Sequence, residues 1–439
     1  MKREPFADDW YVQTATPDRP DAARGPLILP DDAMFHEGRD PETRNGPRTG
    51  YFPGGKYRYR KTFLAPEGWR GGAVFLEFEG VYQRSQVLVN GHLAGGRASG
   101  YALFTVDIGG LLDFGCPNTV EVIADNSGEP NSRWYTGSGI YRPVHLLTGP
   151  AVFVAPEGPR AVTTRICGTC AEVAVTIPLR NVSPGTRAAV VEAELVSPAG
   201  ERFKSAAHSA VIKSDGVAEV HAVIEIRAVQ PWSPANPDMY RLRASVRAEG
   251  GEMDEAEDEI GIRMISVNAR DGLRINGGAV KLRGACVHHD SGVIGAHTLD
   301  AAEDRRIRIL KESGYNAIRS AHNPLSRAAL RACDRRGVLV VDELTDVWWR
   351  SKSKHDYSAD FESEWERDLA SMIAKDFNHP SVIMYSIGNE VAETATPRGI
   401  ALNRRIARRA RELDPSRPVT NAINGFMNMV ASLSGCLGT

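Results

Sequence analysis

The residues best equipped for chemistry stand just after short apolar runs in the second half of the chain. Val382-Ile383-Met384-Tyr385 leads through Ser-Ile-Gly to Asn389 and Glu390. A carboxyl there can give or take a proton, and an amide can bind a hydroxyl. Three earlier runs end in the same way. The first is followed by His288, His289 and Asp290, and the second by Arg319, His322 and Asn323. The third is followed by Asp342 and Glu343, with Asp346, Trp348 and Trp349 beyond. Any one of these groups could be structural; Glu390, for instance, could merely cap the next helix. Four successive runs ending this way point to one shared site.

Something must hold these ends together. Short runs rich in β-branched residues read as strands buried on both faces, as in a parallel sheet. Ala279–Cys286, Asn316–Arg319, Val338–Val341 and Ser381–Glu390 are four such strands, and Pro418-Val419-Thr420 suggests a fifth. Helical patterns alternate with them. One starts at Asp300, with Glu303 in capping-box spacing, and stops at Gly314. A second runs from Ser326 to Arg336 and stops at Gly337. A third, Phe361 to Phe377, puts Trp365, Leu369, Met372 and Ile373 on one face, and a fourth lies around Ile400–Leu413. Strand–helix repetition of this kind is a (β/α) barrel, whose chemistry sits at the C-terminal ends of its strands. Arg404, Arg405, Arg408, Arg409 and Arg411 on the fourth helix are expected on the barrel's outside, as a solvated face.

Before residue 270 the pattern is different. Up to about residue 150 there are short alternating segments, such as Tyr57–Phe63, Ala73–Glu79, Gln86–Val89 and Thr119–Ala124, with Asn90-Gly91 as a hairpin turn. These predict a jelly-roll β-sandwich. The loop Arg133–Arg142 is rich in aromatic residues and glycine. It suits a sugar ring, but packing against a neighbouring domain is the favoured reading. Longer alternating strands from about 151 to 265 predict an immunoglobulin-like sandwich acting as a spacer. The expected division is 1–150, 151–265 and an incomplete barrel over 266–439, a multidomain β plus α/β chain.

Composition narrows the class. The 439 residues are 42% hydrophobic and 25% charged, with a net charge of -2, which gives no reason to expect nucleic acid or an anionic membrane as partner. The N-terminal segment has no apolar core like that of a signal peptide, and no run of about 18 apolar residues occurs. Of six cysteines only Cys167 and Cys170 are close, and they read as a hairpin tip rather than a metal site. A cytoplasmic protein is the default expectation; a homo-oligomer is left open.

The same residues carry a family resemblance. Arg133–Arg142 with Val144, Gly261-Ile262-Arg263, Gly284–Asp290, Asn316–Pro324, Gly337–Glu343 and Asn378–Glu390 resemble motifs of glycoside hydrolase family 2. That family contains β-galactosidases, β-glucuronidases and β-mannosidases. His288-His289-Asp290 and Lys354-His355-Asp356-Tyr357 look most like bacterial β-galactosidases. The resemblance implies a retaining exo-β-glycosidase acting on small or oligosaccharide β-glycosides without a cofactor. Its two carboxyls would lie about 5–5.5 Å apart. Glu390 would be the acid/base and Asn389 would bond the sugar 2-hydroxyl. Arg319 would keep the nucleophile ionised, and His288 and His322 would bind ring hydroxyls. Asp346 and Trp348 are further expected substrate contacts. The metal site of some β-galactosidases is not carried over onto Leu344–Trp349. The family's nucleophile is a glutamate on the seventh barrel strand, which the resemblance would put beyond Thr439, so the chain is expected to be a fragment lacking it. The alternative of another class is a non-catalytic carbohydrate-binding protein.

Overall fold

The computed structural model describes residues 1–15 and 23–425. The last residues of the expected barrel segment, 426–439, lie outside the described residues.

Period-2 patterning builds the first layers. Lys56–Leu64 alternates buried Tyr57 and Tyr59 with exposed Arg58 and Arg60, and Pro117–Asp125 buries Val120, Val122 and Ala124. These two strands pair at the centre of a six-stranded sheet that faces a four-stranded one built from Lys2–Pro5, Val144–Gly149, Ala73–Phe78 and Phe104–Asp107. Trp10, Val12, Leu76, Phe78 and Val87 fill the space between. Asn90 and Gly91 both have positive φ, 49° and 82°, and close the hairpin in which Val89 pairs with His92. That is the twist a two-residue hairpin needs.

A second sandwich follows. Val152–Val154, Arg160–Cys167, Cys170–Asn181 and Val217–Ile226 form one sheet; Arg187–Val196, Arg202–Lys204, His208–Ile212, Tyr240–Ala248 and Met253–Ile260 form the other. Cys167 pairs directly with Cys170 at an exposed hairpin tip. Among the described residues no α-helix precedes Asp300, and no helix is long and apolar enough to cross a membrane.

Five parallel strands then lie side by side in sequence order: Gly284–Val287, Ala317–Ser320, Leu339–Glu343, Val382–Asn389 and Val419–Ala422. The helices α1 (Asp300–Glu312), α2 (Arg327–Arg336), α3 (Ser358–Asp376) and α4 (Pro397–Leu413) alternate with them. This is a partial barrel. Trp365, Leu369, Met372 and Ile373 of α3 are buried as its periodicity predicts. Arg405 and Arg409 of α4 pair with Glu366 of α3.

Two local expectations are corrected. Ala279–Cys286 is not one strand: Gly278–Ala279 pairs in a small antiparallel hairpin, and only Gly284–Val287 joins the parallel sheet. Between them the Asn316 side chain bonds the Lys281 carbonyl and the Arg283 N–H, serving backbone that a ladder would otherwise serve. Nor does Asp300 cap α1. The capping position is Leu299, with no side-chain bond, and Asp300 is already helical and reaches Arg331.

Candidate active site

The C-terminal ends of the parallel strands converge beneath the first sandwich. Arg142 fixes that arrangement. It is fully buried and donates to the carbonyls of Tyr101 and Pro324, while its Nη2 lies 3.3 Å from His289 Nδ1. The aromatic loop is therefore the packed element expected of it. Its other end does more: Arg133 and Trp134 line the same cleft as Tyr101, Asn323, Asp346, Lys352 and Tyr357.

The first strand delivers His288 and His289 to different places. The His288 ring lies 4.9 Å from that of Trp134 and 5.5 Å from that of His322. Burial, followed by the nearby His322, lowers its pKa, which favours the neutral imidazole. His289 turns inward against Tyr101, where burial and Arg142 hold it well below the ordinary range.

Arg319 on the second strand is the hub. Its Nε donates to Glu343 Oε2 at 3.1 Å, and its Nη2 reaches Glu343 Oε1 at 3.2 Å and Asn389 Oδ1 at 2.5 Å. His322 Nδ1 lies 2.7 Å from Glu343 Oε1, and Ser386 Oγ donates to Glu343 Oε2 at 2.6 Å. Glu343 is completely buried and its oxygens are committed. Asp342, equally buried, is bonded by Ser320, the Leu325 N–H and Lys375.

Asn389 ends the fourth strand and Glu390 follows it. Asn389 is buried; its Nδ2 donates to Asp346 Oδ1 at 2.8 Å. Glu390 has a positive φ of 46°, and its N–H donates to the Ala422 carbonyl of the fifth strand. Holding a non-glycine residue there costs about 1–2 kcal/mol. It turns the carboxyl out of the strand into an exposed position, with no side-chain hydrogen bond among the described residues. Glu390 does not cap a helix: α4 is capped by Thr396, whose side chain accepts from the Gly399 N–H.

Asp346 sits with the site residues, bonded also by Arg133 at 2.7 Å and Lys352 at 2.9 Å. Burial alone would raise its pKa, but Lys352, Asn389 and Arg133 outweigh that and hold it below the usual carboxylate value. Trp348 is the correction. It is fully buried, its Nε1 donates to the Ile387 carbonyl, and its ring stacks 6.1 Å from Phe361. It is a core residue and offers no face to a substrate. Lys352 is a site residue that its sequence does not mark, since a lysine in a polar loop carries no local signal of what it will meet.

A second grouping could in principle hold a metal: Asp31, His36 and His297 bring ligand atoms within 4.8 Å of one another. Arg24 already forks onto Asp31, however, and His297 Nε2 accepts the Asp32 N–H while Nδ1 faces the Ile294 carbonyl. Those lone pairs are taken.

Comparison with known proteins finds two family models that match the chain. The model of the glycosyl hydrolases family 2 TIM barrel domain matches residues 266–434, and the glycosyl hydrolases family 2 model matches residues 161–263. A β-galactosidase of Bacteroides ovatus is 36% identical over 399 residues, covering 89% of this chain and 47% of that protein. A β-glucuronidase of Bacteroides fragilis is 26% identical over 397 residues, covering 85% of this chain and 55% of that protein. A crystal structure of a family 2 member from Bacteroides cellulosilyticus aligns with a TM-score of 0.91 at 32% identity, covering 97% of this chain and 56% of that one. The chain spans about half the length of these curated relatives.

Proposed function

Since the chain belongs to glycosyl hydrolase family 2, we propose that it carries the acid/base half of a retaining exo-β-glycosidase site, β-galactosidase-like in its substrate. The observation that carries this reading is the contrast between neighbouring carboxyls. Glu343 is buried and spent on Arg319, His322 and Ser386, whereas Glu390 stands exposed beside an Asn389 amide gripped at both ends. A proton-transfer group needs that freedom, and a substrate-binding amide needs that constraint.

In this mechanism Glu390 protonates the departing glycosidic oxygen while a second carboxylate attacks the anomeric carbon. Glu390 then takes a proton from the water that breaks the glycosyl-enzyme bond. The remaining N–H of the Asn389 amide bonds the sugar 2-hydroxyl. His288, and His322 beside it, bind ring hydroxyls. Arg319 has only Nη1 without a partner among the described residues, and that atom faces the task of keeping the nucleophile ionised. The nucleophile lies outside the described residues.

The reaction class is tested on the intact protein by proton NMR of the first sugar released from an aryl β-galactoside. Retention gives the β-anomer, and initial release of the α-anomer would overturn the mechanism. Parallel assays with aryl β-glucuronides and β-mannosides test the preference for galactose.

A further inference from the structure

The Asn389 amide is oriented by chemistry rather than by shape. At one end stands the Arg319 guanidinium, which can only donate; at the other stands the Asp346 carboxylate, which when ionised can only accept. A flipped amide would set donor against donor and acceptor against acceptor. Asp346 Oδ1 is itself held by Arg133 Nη2 and Lys352 Nζ, and Lys352 also donates to the Asn389 backbone carbonyl at 2.6 Å. Side chain and main chain of Asn389 are thus gripped by one cluster. Arg133 belongs to the first sandwich, 213 residues away in sequence, so the cluster bridges two parts of the molecule.

We infer that Asp346 is a positioning residue, which fixes the Asn389 amide for the sugar 2-hydroxyl and, through Arg133, places that contact under the control of the first sandwich. The inference rests on the glycosidase reading and goes beyond it. Asp346 would not touch the reacting atoms. Lys352 serves the same end by bonding both Asp346 and the Asn389 carbonyl, and with Arg133 and Arg319 the contact draws on four separate segments of chain. Exchanging Asp346 for asparagine removes the rule that orients Asn389, because an amide can accept or donate.

The test compares an aryl β-glycoside with its 2-deoxy counterpart in the intact protein. For Asp346→Asn, kcat/KM should fall roughly 100-fold on the 2-hydroxy substrate, as a misplaced contact does. It should fall less than about 5-fold on the 2-deoxy substrate, which never used that contact. Arg133→Met, which leaves Asp346 and Asn389 intact, should show the same selectivity at roughly 10-fold. It carries the test if Asp346→Asn proves unfolded by circular dichroism. Equal losses on both substrates would make Asp346 a structural clamp and overturn the inference. A wild-type protein that cleaves neither glycoside would overturn the glycosidase reading itself, and the inference with it.

Discussion

Asp342, Glu343, Asp346 and Glu390 stand where the third and fourth barrel strands end, and their surroundings assign them different work. Asp342 is held by Ser320, Leu325 and Lys375, Glu343 by Arg319, His322 and Ser386, and Asp346 by Arg133, Lys352 and Asn389. Glu390 alone is turned outward. The motifs placed all four at one end of a sheet, but they could not distribute these roles. That depends on partners that come from other strands and from the first sandwich. Trp348 shows the same limit, since an aromatic residue just past a strand end reads alike whether it faces substrate or core. Its burial leads to a prediction. Trp348→Phe should leave KM unchanged, and Trp348→Ala should cost about 3–5 kcal/mol in chemical denaturation, as large core truncations do. A large rise in KM for the Phe variant at unchanged stability would return Trp348 to the substrate.

At the scale of elements, helix ends were legible where one residue settles the geometry. Ser326 accepts the Ala329 N–H, and Gly337 at the far end of α2 has a φ of 62°. A Cβ on Gly337 would lie 2.3 Å from the Pro234 carbonyl oxygen, which belongs to the second-sandwich connection between Val217–Ile226 and Tyr240–Ala248. Gly337→Ala should therefore lose more than the roughly 1–2 kcal/mol of the left-handed conformation alone, read as a lowered denaturation midpoint. A loss below that would mean that the Pro234 segment yields easily. Legibility failed where two candidates competed. Asp300 and Glu303 have capping-box spacing, yet the helix starts one residue too early for Asp300 to serve. The run 279–286 looks continuous, yet Asn316 supplies the bonds that divide it.

At the scale of the whole molecule, the first sandwich and the barrel are clamped by Glu77, which pairs with Arg3 at 2.6 Å and with Arg327 of α2 at 2.8 Å. Burial alone would raise the Glu77 pKa, but Arg327, His145 and Arg3 together hold it well below the ordinary value. With the native value below the unfolded one, near 4.3, the unfolded chain binds the extra proton as pH falls. The clamp's contribution is thus full above about pH 4.3 and is lost as pH falls toward the depressed native value. Glu77→Gln should cost about 1.5–3 kcal/mol at neutral pH, because it takes the charge from a buried carboxylate bonded by two partly exposed guanidiniums, and should flatten the acid limb of a stability–pH curve. An unchanged acid limb would show that Glu77 is not the group titrating there.

The central claim, that Glu390 is the acid/base of a retaining glycosidase, is tested most directly by Glu390→Gln in the intact protein. Glycosides with poor leaving groups need protonation to depart, and their turnover should fall by about 10²–10⁴-fold. Glycosides with good leaving groups should keep most of their first-step rate, and azide should restore turnover by attacking the glycosyl-enzyme without a general base. Equal losses on both kinds of substrate, with no rescue by azide, would contradict the assignment.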